Sequence, residues 1–215
     1  MDFLSAIILI VILVFSAILH EVAHGFVAYR FGDPTAKLAG RLTLNPKKHI
    51  DPFMSILLPF FLILSGSPVI FGAAKPVPID PFNLKEGRKD VALVALSGPL
   101  TNILIAVLGS FVMKVIPILA NFLPLDLSSI LYSLLSTIVQ LNLLLAIFNL
   151  LPIPPLDGSK VFALLLPEKE AAIYLSLGAI GMFIIFFLLL FPIGGFSLGK
   201  VVFDLLMFSE KLLGL

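Results

Sequence analysis

Cysteine and tryptophan are both absent from this 215-residue sequence, histidine and tyrosine occur three times each, and only 13% of the residues are charged. Without cysteine there is no disulfide framework and no thiolate metal site. An ordinary soluble domain carries roughly 25% charge, and about half of that cannot coat a water-facing surface. The charges nearly cancel, 14 basic against 13 acidic, so charge alone implies no acidic partner. In excess is apolar mass: 60% hydrophobic residues, twenty phenylalanines and a mean hydropathy of +1.15. A soluble fold of this size would have to bury well over half of such a chain. The composition excludes a soluble globular domain, a disordered chain and a nucleic-acid binder, and indicates a polytopic protein whose partner is the lipid bilayer.

The first apolar run, Phe3 to Leu19, continues as helix-compatible sequence to about Tyr29. Asp2, the missing small-residue cleavage pattern and the polar His20-Glu21 that ends the run argue for a span rather than a signal peptide. Between Phe31 and Pro52, turn formers (Gly32, Asp33, Pro34, Gly40, Asn45, Pro46) separate short stretches that read as a small β-hairpin over about 36–52. Phe53–Gly72 is apolar but broken by Pro59, Gly66 and Pro68, so it reads as a re-entrant element or a short span. Val91–Pro117, interrupted by Gly98-Pro99, and Ser128–Leu151 are spans. Pro152, Pro154 and Pro155 then forbid regular helix. Ala171–Phe191 and Phe196–Leu213 complete the set.

Lysine and arginine in short loops orient a membrane chain. The 31–52 segment holds Lys37, Arg41, Lys47 and Lys48; the 73–90 loop holds Lys75, Lys85, Arg88 and Lys89; 156–170 holds Lys160 and Lys169; 117–127 and 192–199 hold none. All basic loops fall on one side if 53–72 dips in and returns. The expectation is therefore a single all-α membrane-embedded domain over 1–215, with a core at about 3–166 and C-terminal spans at 171–213. It has five to six transmembrane helices, a small hairpin or re-entrant element after the first, and the N-terminus outside.

Two of the three histidines fall in His20-Glu21-Val22-Ala23-His24, an H-E-x-x-H pattern. Residues i and i+4 share one helix face, so two imidazoles can reach one metal ion, and the glutamate between them can act as base toward a water on that metal. Ionisable groups inside a span are costly and usually functional. At about 1.5 Å per residue, the motif lies inside the membrane, nearer the basic side. The bland alternative is a polar cluster that only joins helices. Two histidines do not complete a zinc site, which usually takes three protein ligands and a water. The candidates are the remaining carboxylates and His49. Asp157 stands out, because three prolines force the chain out of helix and present it before Gly158; a helix N-cap is an equally simple reading of the same spacing.

His20–His24 together with Phe148-Asn149-Leu150-Leu151-Pro152-Ile153-Pro154-Pro155-Leu156-Asp157-Gly158 closely resembles the site-2 protease family of intramembrane zinc metalloproteases. Asn45-Pro46-Lys47-Lys48-His49-Ile50-Asp51-Pro52, Ala74-Lys75-Pro76-Val77-Pro78 and Ser97-Gly98-Pro99-Leu100-Thr101-Asn102 are similar to it as well. The resemblance covers residues 3 to about 166 and is to a compact member with no room for an inserted PDZ domain. It implies one Zn2+ held by His20, His24 and Asp157, with Glu21 as catalytic base and Asn149 as an oxyanion donor, a role an amide can fill. Asn149 reads equally as a helix-ending residue or an interhelical bond. The neighbours of His49 favour a structural role in its loop, and Asn102 reads as packing glue.

The implied function is hydrolysis of peptide bonds in transmembrane protein substrates, in a prokaryotic plasma membrane with the site toward the cytoplasm. The hairpin at 36–52 would hold the unwound substrate by edge pairing. The alternative is a catalytically inactive relative serving as membrane scaffold or chaperone. A metal transporter would show ionisable groups along a pathway and inverted repeats, and three histidines are too few for a di-metal oxygenase.

Overall fold

The computed structural model describes residues 3–65, 74–119 and 124–215. The regular elements of the described residues are helices, and their one β-bridge joins Ile193 to Phe196. In chain order the helices are α1 (Phe3–Phe31), α2 (Thr35–Leu38), α3 (Leu58–Leu64, entered through a π-helical turn at Pro52–Leu57), α4 (Arg88–Leu119), α5 (Leu125–Asn149), α6 (Asp157–Phe162), α7 (Glu168–Ser176), α8 (Gly178–Leu190) and α9 (Leu198–Leu213). The chain divides into two compact units, residues 1–101 and 102–215, with the boundary inside α4.

In the N-terminal unit α1 packs against α2 and α3. Ala28 of α1, Leu84 and Val94 form its buried apolar cluster. Asp33, buried just beyond α1, accepts hydrogen bonds from Thr35 N and Oγ1, Asp80 N and Asn83 Nδ2. This one carboxylate ties the end of α1 to the loop that leads into α4.

In the C-terminal unit α4 and α5 meet through Ala106, Met113, Val139 and Leu143. A Cβ at Gly109 would lie 2.8 Å from Val139 Cγ2, so the bare glycine lets the helices approach, as small residues do in membrane interfaces. A second cluster packs the 150–156 loop on α8 and α9 through Leu151, Leu156, Ile185, Leu198 and Val202.

Three helices, Phe3–Phe31, Arg88–Ile118 and Asp126–Asn149, are long and apolar enough to cross a membrane; Glu168–Ser176 with Ile180–Leu190, bent by 66°, makes at most a fourth. Outward-facing side chains are themselves apolar: Leu4, Val11 and Phe15 on α1, Leu104, Leu108 and Phe111 on α4, Phe183 and Phe187 on α8. Surfaces of this kind belong in lipid. The protein is a membrane protein.

The expectation of five to six spans is met only in part. The apolar stretch 171–191 is broken near Leu177, between α7 and α8. Helix α9 has 16 residues, about 24 Å at 1.5 Å per residue, short of the roughly 30 Å hydrocarbon core. The stretch 53–72 is described only as far as Ser65, and its remainder lies outside the described residues. The hairpin expected over 36–52 is absent. Asp33 Oδ1 accepts from Thr35 N just before α2, and Asn45 Oδ1 caps Lys47 N over the 3-10 turn Pro46–Lys48, so side chains satisfy locally the amides that a strand would have paired. Nor does Gly98-Pro99 break its span: α4 runs through both residues.

Candidate metal centre

Helix α1 carries His20, Glu21 and His24 in its C-terminal half. Both histidines are buried, and their rings meet edge to face with centroids 4.6 Å apart. Their Nε2 atoms are 3.0 Å apart. Two nitrogens on one tetrahedral zinc, at about 2.05 Å each, would stand about 3.3 Å apart, so little adjustment separates this pair from a shared ion. His24 Nδ1 lies 2.7 Å from the carbonyl of Val94. A carbonyl can only accept, so Nδ1 carries the proton and the Nε2 lone pair is available to a metal. The Ser97 hydroxyl donates to the same carbonyl at 2.6 Å.

The facing surface of α4 is shaped to the pair. A Cβ at Gly98 would stand 2.5 Å from His20 Nε2 and 2.5 Å from His24 Nε2. Glycine is therefore required where α4 faces the two Nε2 atoms. The third member, Glu21, is held through one oxygen: Oε2 accepts the backbone N–H of Val77 at 2.7 Å.

Asp157 belongs to the C-terminal unit. It is buried as the first residue of α6, and Lys160 Nζ lies 2.9 Å from its Oδ1. The chain reaches it through a tightly wound loop. Leu156 N donates to Ile153 O, Ser159 Oγ donates to Leu156 O, and Tyr174 Oη donates to Pro152 O. A Cβ at Gly158 would collide with Leu150 O, and one at Gly181 would collide with Pro154 O. The glycine after Asp157 is therefore a packing requirement: the start of α6 rests directly on the backbone that leaves α5.

Asn149 is the last residue of α5, and its Nδ2 donates to Leu145 O at 3.0 Å. One amide hydrogen serves its own helix and the other is left for an external acceptor. His49 is fully buried in its loop, with Nε2 donating to Thr43 O at 2.8 Å. Burial holds this imidazole below the usual histidine range, and the nearby Arg41 cation adds to the effect against the opposing pull of the Thr43 bond. Asn102 of α4 is bonded to Asn142 of α5.

Three contributors carried no signal as residue types: the Val94 carbonyl, the Val77 amide and the bare backbone at Gly98. One was nonetheless legible. In Lys75-Pro76-Val77-Pro78 two prolines leave a single interior donor, and that donor is on Glu21.

The model of peptidase family M50 matches residues 8–126 and 117–192. The chain is 38% identical to the candidate zinc metalloprotease YwhC of Bacillus subtilis over 190 residues, 88% of this chain and 83% of that one. It is 32% identical to the candidate zinc metalloprotease Rip2 of Mycobacterium tuberculosis over 203 residues, 92% of this chain and 73% of that one. The zinc metalloprotease MJ0392 of Methanocaldococcus jannaschii is 28% identical over 162 residues, 75% of this chain and 35% of its own length. No solved structure matches. With the family model covering most of the chain, and paired imidazoles flanking a glutamate at its first helix, the protein belongs to peptidase family M50, the site-2 protease family.

Proposed function

We propose that the protein is an intramembrane zinc metalloprotease, a single membrane-embedded domain that hydrolyses peptide bonds of transmembrane protein substrates. The observation that carries this reading is the pair of imidazole Nε2 atoms 3.0 Å apart, in a chain of family M50, with Glu21 between them in sequence. One Zn2+ is held by His20, His24 and Asp157. Two neutral imidazoles and a carboxylate are donors that zinc accepts, and the Val94 bond fixes the tautomer needed at His24. When bound, the zinc supplies a Lewis acid that acidifies water and polarises the scissile carbonyl.

The chain's own residues carry the rest. Glu21 removes a proton from the attacking water as the new C–O bond forms, then returns it to the leaving amine as the C–N bond breaks. The second amide hydrogen of Asn149 binds the developing oxyanion. A transmembrane substrate helix must unwind locally to present its peptide bond, since its amides are otherwise bonded along the helix.

The same reading places the protein in a prokaryotic plasma membrane with the N-terminus outside and the site toward the cytoplasm. Five to six membrane passages are proposed, with 53–72 and α9 as the shorter ones. The basic residues of the 31–52 and 74–90 loops support that orientation.

The test compares membrane protein profiles of cells carrying wild type and Glu21→Gln. An uncut single-span protein should accumulate in the variant, while purified Glu21→Gln keeps its zinc. Identical profiles would support the scaffold reading instead.

A further inference from the structure

The proline-bearing segment 74–80 has no assigned role, yet it touches the base. Within Pro76-Val77-Pro78 the two prolines have no N–H. The one donor left, Val77 N, points to Glu21 Oε2 at 2.7 Å. The segment is anchored at both ends. Lys75 N donates to His49 O at 2.7 Å, and Asp80 N donates to Asp33 Oδ2 at 2.8 Å. Between the anchors, Nη2 of the buried Arg41 donates to Lys75 O at 2.6 Å and to Pro76 O at 3.3 Å, the two carbonyls immediately before Val77. The Val77 side chain is seated against Gly25, one turn beyond Glu21. A Cβ at Gly25 would lie 2.9 Å from Val77 Cγ1, 2.8 Å from Leu42 Cδ2 and 3.0 Å from Ala36 Cβ.

On the metalloprotease reading, we propose that residues 74–80 form a strap that orients the catalytic base, with Arg41 and the Val77 amide as positioning groups. A backbone N–H can only donate. Oε2 is thus held as an acceptor, and Oε1 is the oxygen positioned to take the proton from water. The carboxylate is restricted to one rotamer with one working oxygen, which lowers the entropy cost of proton transfer. Arg41 acts through Val77, because two carbonyls clasped by one guanidinium fix the plane of the peptide that carries the Val77 N–H.

The test uses full-length zinc-loaded protein and a cleaved single-span substrate. Val77→Pro deletes the donor, Val77→Ala keeps it with a smaller side chain, and Arg41→Gln and Arg41→Lys probe the clasp. The expected kcat of Val77→Pro is about 10–100-fold below that of Val77→Ala, with KM and zinc content equal in the two. Arg41→Gln is expected to lose kcat, and Arg41→Lys to recover part of it. Equal kcat in Val77→Pro and Val77→Ala would overturn the proposal, as would a loss confined to KM. If Val77→Pro fails to fold, the Arg41 pair decides. A second readout needs no activity. In 15N-valine-labelled protein the Val77 amide, identified by its disappearance in Val77→Ala, should exchange with solvent at least about tenfold faster in Glu21→Ala than in wild type. Unchanged exchange refutes the strap while leaving the protease reading standing. A protected amide in a protein that cleaves nothing refutes the protease reading instead.

Discussion

Asn102 of α4 donates its side-chain amide to Asn142 Oδ1 of α5 across 2.8 Å, with both residues fully buried. Asn142 in turn donates to Ile138 O at 2.8 Å, so the pair is tied into the backbone of α5. In a bilayer apolar side chains give helices little reason to prefer each other over lipid, and interhelical amide bonds contribute about 0.6 kcal/mol on average and up to about 1.7. Asn102→Ala and Asn142→Ala should each destabilise the protein in detergent. The double variant should lose less than the sum of the two, with a coupling of about 0.6–1.7 kcal/mol. Strict additivity in an SDS-titration cycle would show that the bond contributes nothing.

Gly98→Ala places a methyl where the Nε2 atoms of His20 and His24 already stand, 2.5 Å from each. Alanine favours helix over glycine, so α4 should persist and circular dichroism should be unchanged. Either the imidazoles or the helix must shift, and a displaced ligand pair should cost zinc affinity at least about tenfold. Metal analysis after dialysis against a graded chelator series measures this. Wild-type zinc retention in Gly98→Ala would show that the approach of α4 to the histidines is not tight in solution.

These two cases show what was legible in advance and what was not. The histidines and Glu21 stand out in the sequence because ionisable residues are costly in an apolar helix, and the structure brings the two imidazoles together. Asp157 stands out through the prolines before it, and the structure buries it at the start of α6. Beside Pro99, Gly98 reads as a helix break, whereas α4 continues and the glycine serves a contact made by a different helix. The 36–52 segment departs from its expected hairpin for a related reason. Alternating short stretches between turn residues suggest paired strands, but Asp33 and Asn45 satisfy neighbouring amides with their own side chains, a competition that composition alone does not resolve. Span counting is met only in part where apolar length is interrupted, as near Leu177, because hydropathy registers a run and not the bend inside it.

His49 makes stability sensitive to mild acid. Burial, with Arg41 next in the same direction, lowers its folded pKa beneath the ordinary 6.5. Protonation then favours the unfolded chain. The contribution is complete above 6.5 and is lost as pH falls below it through the folded value. Thermal midpoints of wild type should decline over that interval. His49→Gln, which can still donate to Thr43 O but does not titrate, should decline less. Parallel curves for the two proteins would show that His49 stays neutral in both states.

Asp33 acts in a lower window and by the opposite kind of interaction. Burial alone would raise its pKa. The bonds from Thr35 Oγ1, Asp80 N, Thr35 N and Asn83 outweigh that and hold the carboxyl below its ordinary 3.8. A folded pKa beneath the unfolded one means that folding favours the carboxylate. Its stabilisation is therefore complete above 3.8 and disappears as pH falls through the folded value. Asp33→Asn removes this dependence and replaces one acceptor oxygen with an amide nitrogen, which cannot accept from Thr35 N or Asp80 N. Leaving such a buried donor unpaired costs about 1–3 kcal/mol. The variant should thus be less stable at neutral pH, with the gap to wild type narrowing as pH falls below 3.8. Because Asp80 anchors the strap that reaches Glu21, Asp33→Asn should also speed exchange of the Val77 amide at neutral pH, a change that a purely local loss at the end of α1 would not produce.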